Sequence, residues 1–216
     1  MISILMPIYN GIEFINDSVM SIIQQKYTNW ELLIGINGHP PNSEVFKIAQ
    51  KYAELNSNIR VYDFTDIKGK SNTLNELIKY CKYDWISLLD VDDIWLPDKL
   101  EKQVSYMEKY DVIGTKCRYF GTSNNEPRIP LGDISKFDFR NVNPIINSSC
   151  LLKKSLCWWD ASCVIEDYDL WLRLWKKGCK FYNVTDVQVL HRIHQESAFN
   201  AKGNNTHVGA LVAKFR

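Results

Sequence analysis

Residues 85–95 of the chain read WISLLDVDDIW. The first five residues are apolar apart from one serine, and such a run predicts a strand that is covered on both faces of a sheet. Asp90, Asp92 and Asp93 follow at once, and Pro97 marks the start of a helix. Carboxylates this close together repel one another, so a positively charged group is expected beside them. The stretch therefore predicts a buried strand that ends at a charged edge.

The chain before this stretch repeats the same alternation of strand and helix. Each unit is about thirty residues long, which predicts a mostly parallel α/β sheet of the Rossmann type with helices on both faces. Asn16 or Asp17 is expected to cap the first helix, and Thr73 with Glu76 fits a capping box for the third. Strands are predicted at residues 3–6, 31–36, 58–64 and 85–89, and the helices that follow them begin near residues 15, 45, 73 and 97.

The carboxyl ends of these strands are expected to meet at one edge of the sheet, where open α/β sheets bind their ligands. Four segments share this edge. They are residues 7–11 (PIYNG), Asn37-Gly38, residues 66–75 and residues 90–93.

The second half of the chain is less regular. Residues 121–149 read as loops, residues 150–152 as a short strand, and the spacing of Tyr168, Trp171, Leu172 and Trp175 predicts a helix. From about Ala198 the sequence is polar and is expected to be loose, apart from an apolar patch at Leu211-Val212. No linker is evident, so residues 1–216 are predicted to form one domain.

Composition excludes several classes of protein. The net charge of +1 carries no basic excess of the kind that nucleic-acid binding requires, and no apolar run approaches the length of a membrane span. The start of the chain, MISILMPIYNG, reads as a strand and lacks the pattern of a signal peptide. The six cysteines include no CxxC pair, so free thiols in a reducing, cytoplasmic environment are expected.

The three aspartates suit a hard divalent cation, because Mg²⁺ and Mn²⁺ prefer oxygen ligands and often share them with a bound phosphate. A solvated turn is the alternative for an isolated DxD. A calcium loop of the EF-hand type is a weaker alternative. With Asp90 at its first position it would place Ile94 and Trp95 where an oxygen ligand and a glycine belong.

Two further groups are candidates for the site. Glu166 and Asp167 stand at the start of the predicted Trp-rich helix, where carboxylates either stabilise the helix dipole or serve as a general base. His191 and His194 are separated by an odd number of residues. In a strand they would point to opposite faces, so at most one is expected to face the site.

Taken in order, these motifs resemble the family 2 glycosyltransferases with the GT-A fold, over Met1 to about Ser197. The segments that carry the resemblance are MPIYNG, LLDVDD, NPIINSSCLLKKS, IEDYDLWLRLWKKG and HRIHQES. The resemblance implies transfer of a sugar from a nucleotide diphosphate sugar to an acceptor hydroxyl, with inversion and usually with Mn²⁺ or Mg²⁺. It implies a nucleotide-sugar-binding half (1–110), an acceptor and catalytic half (111–197) and a tail (198–216).

The resemblance also implies roles for individual residues. Asp90 would lie near the ribose, and Asp92 would bind the metal with support from Asp93 and with His194 reaching back to it. Asp167 would be the catalytic base. Pro7, Tyr9 and Asn10 would line the nucleotide pocket, and residues 147–149, Trp158, Trp159 and Glu166 would lie on the acceptor side.

Two departures from the family pattern affect the donor site. Asn37 stands where many members have an aspartate that reads uracil, and an amide can still hydrogen-bond that ring. Thr73-Leu74-Asn75 replaces the familiar Ala-Arg-Asn, which leaves Asn75 as a nucleotide contact and Lys70 as the substitute for the missing arginine.

The expected donor is a UDP-sugar, and the expected acceptor is a glycan, lipid-linked or protein hydroxyl, reached in the cytoplasm or at a membrane surface. Two other functions remain as alternatives. A degenerate module would bind a nucleotide sugar or a glycan without transfer. A sugar-nucleotide pyrophosphorylase would need a Gly-rich basic loop after the first strand, and residues 7–11 do not provide one.

Overall fold

A computed structural model describes residues 1–194 and 204–216 of the chain. Its strands are β1 (Ile2–Ile8), β2 (Trp30–Asn37), β3 (Ile59–Phe64), β4 (Trp85–Leu88), β5 (Ile94–Trp95), β6 (Val112–Gly121), β7 (Gly132–Asp133), β8 (Leu151–Lys153) and β9 (Phe181–Ile193). Its helices are α1 (Ile15–Ile23), α2 (Glu44–Leu55), α3 (Lys70–Leu77), α4 (Lys99–Val104), α5 (Glu166–Lys176) and α6 (Asn204–Ala213).

The first four strands form the parallel part of the sheet, as the alternation predicts. Within the described residues, one sheet has the order β3-β2-β1-β4-β8-β6-β9-β5, and β7 pairs with β9 at its side. Strands β3, β2, β1 and β4 run parallel to one another. Their carboxyl ends therefore share one edge, which is the edge that carries the aspartates.

Helices cover both faces of this sheet. Along β1, Ile4 and Met6 belong to one buried cluster and Leu5 to the other, because successive side chains of a strand point to opposite faces. The first cluster includes apolar residues of α1, α2 and α4, and the second includes those of α3, α5 and α6. This is the predicted arrangement, and it explains why β1, β2 and β4 are almost continuously apolar.

The second half of the chain extends the sheet with strands of both directions. Strand β8 lies antiparallel to β4, and β9 runs parallel to β6 but antiparallel to β5. The pairing of Ile94 with Leu190 brings the end of β9 beside the turn that follows β4. Because β5 occupies the middle of the supposed calcium loop, the EF-hand alternative is wrong.

Three local predictions differ from the structure. Helix α1 is preceded by a 3-10 turn at Ile12–Phe14, so neither Asn16 nor Asp17 is its N-cap. Helix α3 begins at Lys70, after Gly69 with a φ of 86°. Thr73 therefore lies inside the helix, where its Oγ1 donates to the carbonyl of Gly69, and no capping box forms there.

The expected loose tail contains helix α6, whose Leu211 and Val212 are buried against the second cluster. The predicted apolar patch is thus the part of the tail that packs. Residues 195–197 of the HRIHQES motif and residues 198–203 of the tail lie outside the described residues.

All six cysteines are free thiols, as predicted. No helix among residues 1–194 and 204–216 is both long enough and apolar enough to cross a membrane.

Candidate active site

Two cavities open at the carboxyl edge of the parallel strands. Cavity 1, of about 600 Å³, is lined by the ends of β1, β2 and β4, by the start of α3 and by both histidines. Cavity 2, of about 470 Å³, is lined by the start of α5 and by the loops before and after β7. Lys70, Asp90 and His191 line both cavities, so the two share a wall.

Each aspartate after β4 has its own basic partner. Asp90 Oδ1 lies 2.7 Å from Lys70 Nζ. Asp92 Oδ2 lies 3.0 Å from His194 Nε2, and Asp93 Oδ2 lies 2.9 Å from His191 Nδ1. The basic groups beside the three carboxylates therefore come from α3, from the end of β9 and from the residue that follows β9.

Asp90 is fixed in the wall between the cavities by the 3-10 turn at Asn147–Ser149. Asn147 Nδ2 lies 3.2 Å from each carboxylate oxygen, and the backbone N–H of Asp90 donates to Ser148 Oγ at 3.1 Å. Burial alone would raise the pKa of Asp90, but the charge of Lys70 and the hydrogen bonds from Lys70 and Asn147 lower it. Asp90 is therefore held as an ionised, oriented acceptor.

Asp92 faces cavity 1 in a more negative environment. Its pKa is raised by burial and then by the neighbouring Asp93 and Asp90. A cation that arrives beside Asp92 would relieve this repulsion. Asp92 and His194 supply one oxygen and one nitrogen donor next to each other, which suits Mn²⁺ or Mg²⁺ completed by phosphate oxygens. Within the described part of the chain, no group of three or more His, Cys, Asp or Glu side chains is arranged to hold a metal ion without further ligands.

Asp93 has a different position from the predicted metal ligand. It is fully buried and lines neither cavity. One of its oxygens contacts His191, and the other accepts from the backbone N–H of Arg192 at 2.9 Å. Burial would lower the pKa of His191, but Asp93 raises it to about 9, so the pair is an ion pair at neutral pH. Asp93 therefore anchors the end of β9 to the aspartate turn.

The expectation that at most one histidine faces the site is wrong, because both line cavity 1. The alternation of a strand does not apply to the pair, since β9 ends at Ile193 and His194 lies beyond it.

Asp167 lines cavity 2 at the start of α5. Asn143 Nδ2 donates to one carboxylate oxygen at 3.1 Å, and the backbone N–H of Tyr168 donates to the other at 2.7 Å. Burial and the adjacent Glu166 raise the pKa of Asp167 to about 6, against the opposing effect of Lys70. A carboxylate with this pKa can accept a proton near neutral pH.

Lys70 connects the carboxylates of the two cavities. Its Nζ lies 3.6 Å from Glu166 Oε1 in addition to its contact with Asp90. Burial would lower the pKa of Lys70, but Asp90 and Glu166 outweigh it and raise the pKa. Lys70 is therefore a permanent positive charge in the shared wall.

Most of the predicted donor-site residues are brought together by the fold. Asn37 is almost fully buried and donates from Nδ2 to the carbonyl of Ile8 at 3.0 Å, while the ring of Tyr9 is exposed and lies against His39. The predicted residues that line cavity 1 are Pro7, Tyr9, Asn10, Asn37, Lys70, Asp90, Asp92 and His194. Glu166 and Asp167 line cavity 2.

Besides Asp93, three predicted residues line neither cavity. Asn75 Nδ2 donates to the carbonyl of Trp159 at 2.7 Å, and Asn75 Oδ1 accepts from the backbone N–H of Trp159 at 3.0 Å. Asn75 lines neither cavity. Trp159 is fully buried in the second core cluster. Trp158 is exposed, but its ring lies under the guanidinium of Arg173 and outside the lining of both cavities. These aromatic rings pack the fold beside the site and do not form its surface.

The structure adds residues that the sequence did not single out. Asn143 contacts Asp167, Arg128 and Tyr119 line cavity 2, and Lys68 lines cavity 1. Arg128 lies in a stretch that reads only as a loop, so no periodic signal could have identified it.

The fold is that of the GT-A glycosyltransferases. A solved structure of the mannosyltransferase PcManGT from Pyrobaculum calidifontis, in complex with GDP-Man and Mn²⁺, matches with a TM-score of 0.77 at 14% sequence identity. The match covers 99% of this chain and 64% of that one, so the chain spans somewhat less than two thirds of that structure.

The sequence profile described as Glycosyl transferase family 2 matches residues 3–161. The chain belongs to this family. It is similar to the O-antigen biosynthesis glycosyltransferase WbnJ of Escherichia coli, with 31% identity over 91% of this chain and 81% of the relative. It is also 34% identical to the Escherichia coli UDP-Glc:alpha-D-GlcNAc-diphosphoundecaprenol beta-1,3-glucosyltransferase WfgD, over 58% of this chain and 48% of the relative.

Proposed function

We propose that the chain transfers a sugar from a UDP-sugar to an acceptor hydroxyl with inversion at the anomeric carbon. The observation that carries this proposal is the wall of Lys70, Asp90 and His191 shared by the two cavities. A donor in cavity 1 and an acceptor in cavity 2 would meet at this wall. Asp167 lies on the acceptor side, as a base for the incoming hydroxyl requires.

The donor is a nucleotide diphosphate sugar. Cavity 1 offers Asp90 for the ribose, and Lys68 has no carboxylate partner among the described residues, so its ammonium is available for the diphosphate. The names of two matched proteins include UDP-Glc and GDP-Man. We favour UDP because the Asn37 amide, at the end of β2, has the hydrogen-bonding groups to read uracil.

Asp92 and His194 would hold the divalent metal, Mn²⁺ or Mg²⁺. When bound, the ion would supply Lewis-acid stabilisation of the negative charge that develops on the leaving diphosphate. The raised pKa of Asp92 supports this assignment, because the carboxylate lacks a full positive charge of its own.

Asp167 would act as the general base. The acceptor hydroxyl gives its proton to the carboxylate while its oxygen forms the new bond to the anomeric carbon. The bond from that carbon to the diphosphate oxygen breaks in the same step, and UDP leaves on the opposite face. Asn143 and the N–H of Tyr168 orient the carboxylate for this transfer.

The acceptor is a saccharide that carries an anionic group, with a lipid diphosphate as the first candidate. Arg128 lines cavity 2, and no carboxylate of the described residues pairs with it. The name of one relative includes diphosphoundecaprenol, which has this chemistry. The six free thiols agree with a cytoplasmic reaction, and such an acceptor would bring the enzyme to a membrane surface.

The test is thermal melting with a panel of nucleotide sugars, with and without Mn²⁺, followed by a UDP-release assay. Ligand at one hundred times its Kd stabilises by about 2.7 kcal/mol, which gives a clear rise in Tm. We expect a rise with one UDP-sugar plus Mn²⁺ that Asp92→Asn abolishes and the surface control Asp186→Asn retains. Binding without transfer to any acceptor or to water would support the degenerate module, and no binding of any nucleotide would overturn the donor site.

A further inference from the structure

Lys99 is a fully buried lysine in the first turn of α4. No carboxylate of the described residues pairs with it, and burial lowers the pKa of its ammonium to about 7. A buried lysine without a counter-ion destabilises a fold, so its presence requires a reason other than stability.

The ammonium of Lys99 contacts three polar or aromatic side chains. Its Nζ lies 3.1 Å from Ser87 Oγ, 2.8 Å from Gln103 Oε1 and 3.8 Å from the ring centroid of Trp95. Lys99 therefore fixes the rotamers of these three residues, which come from β4, α4 and β5.

The same three residues bind three successive backbone carbonyls. Trp95 Nε1 donates to Ser148 O at 2.7 Å, Gln103 Nε2 donates to Ser149 O at 2.8 Å, and Ser87 Oγ donates to Cys150 O at 2.6 Å. These carbonyls belong to the 3-10 turn Asn147–Ser149 and to the residue after it. The turn is thus held from the core side by side chains that all contact one ammonium.

The other side of this turn holds Asp90 through Asn147 Nδ2 and Ser148 Oγ. We propose that Lys99 is a positioning residue of the donor site, which fixes the turn through Trp95, Gln103 and Ser87 and so orients the Asp90 carboxylate. The effect on catalysis rests on the proposed role of Asp90 in donor binding, whereas the effect on the turn does not.

Lys99→Met tests the proposal, because methionine has a similar length and removes the charge and the three contacts. Lys102→Met is the matched control on the same helix, since its ammonium pairs with Asp186 at the surface. We expect Lys99→Met to keep or raise Tm, to weaken UDP binding with Mn²⁺ at least 10-fold, and to raise the KM for donor more than it lowers kcat. Lys102→Met should bind UDP as the wild type does.

A double-mutant cycle with Asn147→Ala separates positioning from general packing. If Lys99 acts through the turn, Lys99→Met should add less than 3-fold to the loss of UDP affinity already caused by Asn147→Ala. The proposal would be overturned if the double variant lost UDP affinity by the full product of the two single losses. It would also be overturned if the UDP affinity of Lys99→Met stayed within 2-fold of wild type. If Lys99→Met does not fold, Ser87→Ala is the second variant. It removes one of the three side chains that connect Lys99 to the turn, and it should still weaken UDP binding 3-fold or more.

Hydrogen exchange gives a readout that needs no ligand. In Lys99→Met, peptides that cover residues 86–94 and 145–152 should exchange faster than in wild type, because the Asp90 N–H and the turn lose their support. Peptides from β2 and α2 should be unchanged. Unchanged exchange in the first two peptides would refute the positioning role, whereas faster exchange in a protein that binds no nucleotide would refute only the proposed function.

Discussion

Lys70 and Asp90 form a 2.7 Å ion pair in the wall between the two cavities, with Glu166 on the other side of the ammonium. A single cation thereby influences the carboxylate that we assign to the donor and the pair of Glu166 and Asp167 that we assign to the acceptor side. Because the pair joins α3 to the end of β4, a change at Lys70 is expected to affect both substrates.

Activity should depend on the ionisation of Asp167. Only the carboxylate form accepts a proton, so kcat/KM should rise with pH through about 6, the pKa of Asp167. Lys70 lowers this pKa, so Lys70→Met should move the acid limb to higher pH, by about one unit on the scale usual for a nearby charge. The measurement is kcat/KM between pH 4.5 and 9. Lys102→Met, at a surface lysine that pairs with Asp186, serves as the control, and an unmoved limb in Lys70→Met would contradict the assignment.

Asp167→Asn should lose catalysis and retain donor binding. The amide keeps the size of the side chain but cannot take the proton, and general-base catalysis contributes about 10²–10⁴-fold. We expect kcat to fall by at least 10² while the Kd for UDP stays within 2-fold. Glu166→Gln is the neighbouring control, and a loss in that variant as large as in Asp167→Asn would shift the base to Glu166.

The adjacent Asp92 and Asp93 should respond in opposite ways to neutralisation. Asp93→Asn removes the counter-ion of a half-buried imidazolium and should lower the free energy of unfolding by about 3 kcal/mol. Asp92→Asn removes a repelled carboxylate, so stability should be unchanged or higher while Mn²⁺-dependent UDP binding is lost. Thermal melting with and without UDP and Mn²⁺ measures both effects. Equal destabilisation by the two substitutions would argue against the separate roles.

Lys99 should make stability depend on pH. Its pKa is about 7 in the fold and 10.5 when unperturbed, so between these values the unfolded chain holds one more proton. The contribution of Lys99 to stability therefore rises with pH across this range, by up to about 1.4 kcal/mol per pH unit. His191, whose pKa is raised from 6.5 to about 9, contributes an opposite slope between these pH values in every variant, so the difference between variants is the readout. Urea unfolding at pH 6.5, 7.5 and 8.5 should give wild type and Lys102→Met a change of stability with pH that is more positive than that of Lys99→Met by up to about 1.4 kcal/mol per pH unit. Cys150, the titratable group that acts on the pKa of Lys99, has a pKa of about 12 and does not titrate in this range.

Arg128→Gln should affect the acceptor and leave the donor alone. Without the guanidinium, the KM for an acceptor that carries a diphosphate should rise about 10-fold, since a charge-assisted hydrogen bond contributes roughly 1.5–3 kcal/mol. Slow donor hydrolysis, measured without acceptor, should be unchanged. A neutral alkyl glycoside of the same sugar is the matched substrate, and an equal rise in its KM would point to a packing role for Arg128.

The parts of the fold that local patterns encode were predictable. The alternation of apolar strands with helices predicted β1 to β4 and the two covered faces, and the run of aspartates after β4 identified the ligand edge. The contacts that complete the site are not local. His191 and Asp93 meet although they are 98 positions apart in the chain, and the pairing that brings them together depends on β5, a strand of only two residues.

The positions of the aromatic residues also depend on contacts that are distant in sequence and could not be predicted. Trp158 and Trp159 suited a sugar platform by composition, but Trp159 is needed to fill the second core and Asn75 to satisfy its backbone. Lys99 could not be identified from its surroundings in sequence, where it reads as an ordinary surface lysine of an amphipathic helix. Its environment is created by residues from β4, β5 and the turn at Asn147–Ser149.

Strand β9 pairs with β5, directly after the turn that carries the three aspartates, and this determines when the two cavities can be completed. The parallel pairs β1 with β2 and β1 with β4 use residues from the first half of the chain, whereas both histidines enter only with β9. Contacts across such long loops form late and slowly in folding. On the ribosome cavity 1 would therefore stay incomplete until nearly the whole described chain had emerged. A nascent or truncated chain would form the parallel strands β1 to β4 before both histidines reached the cavity.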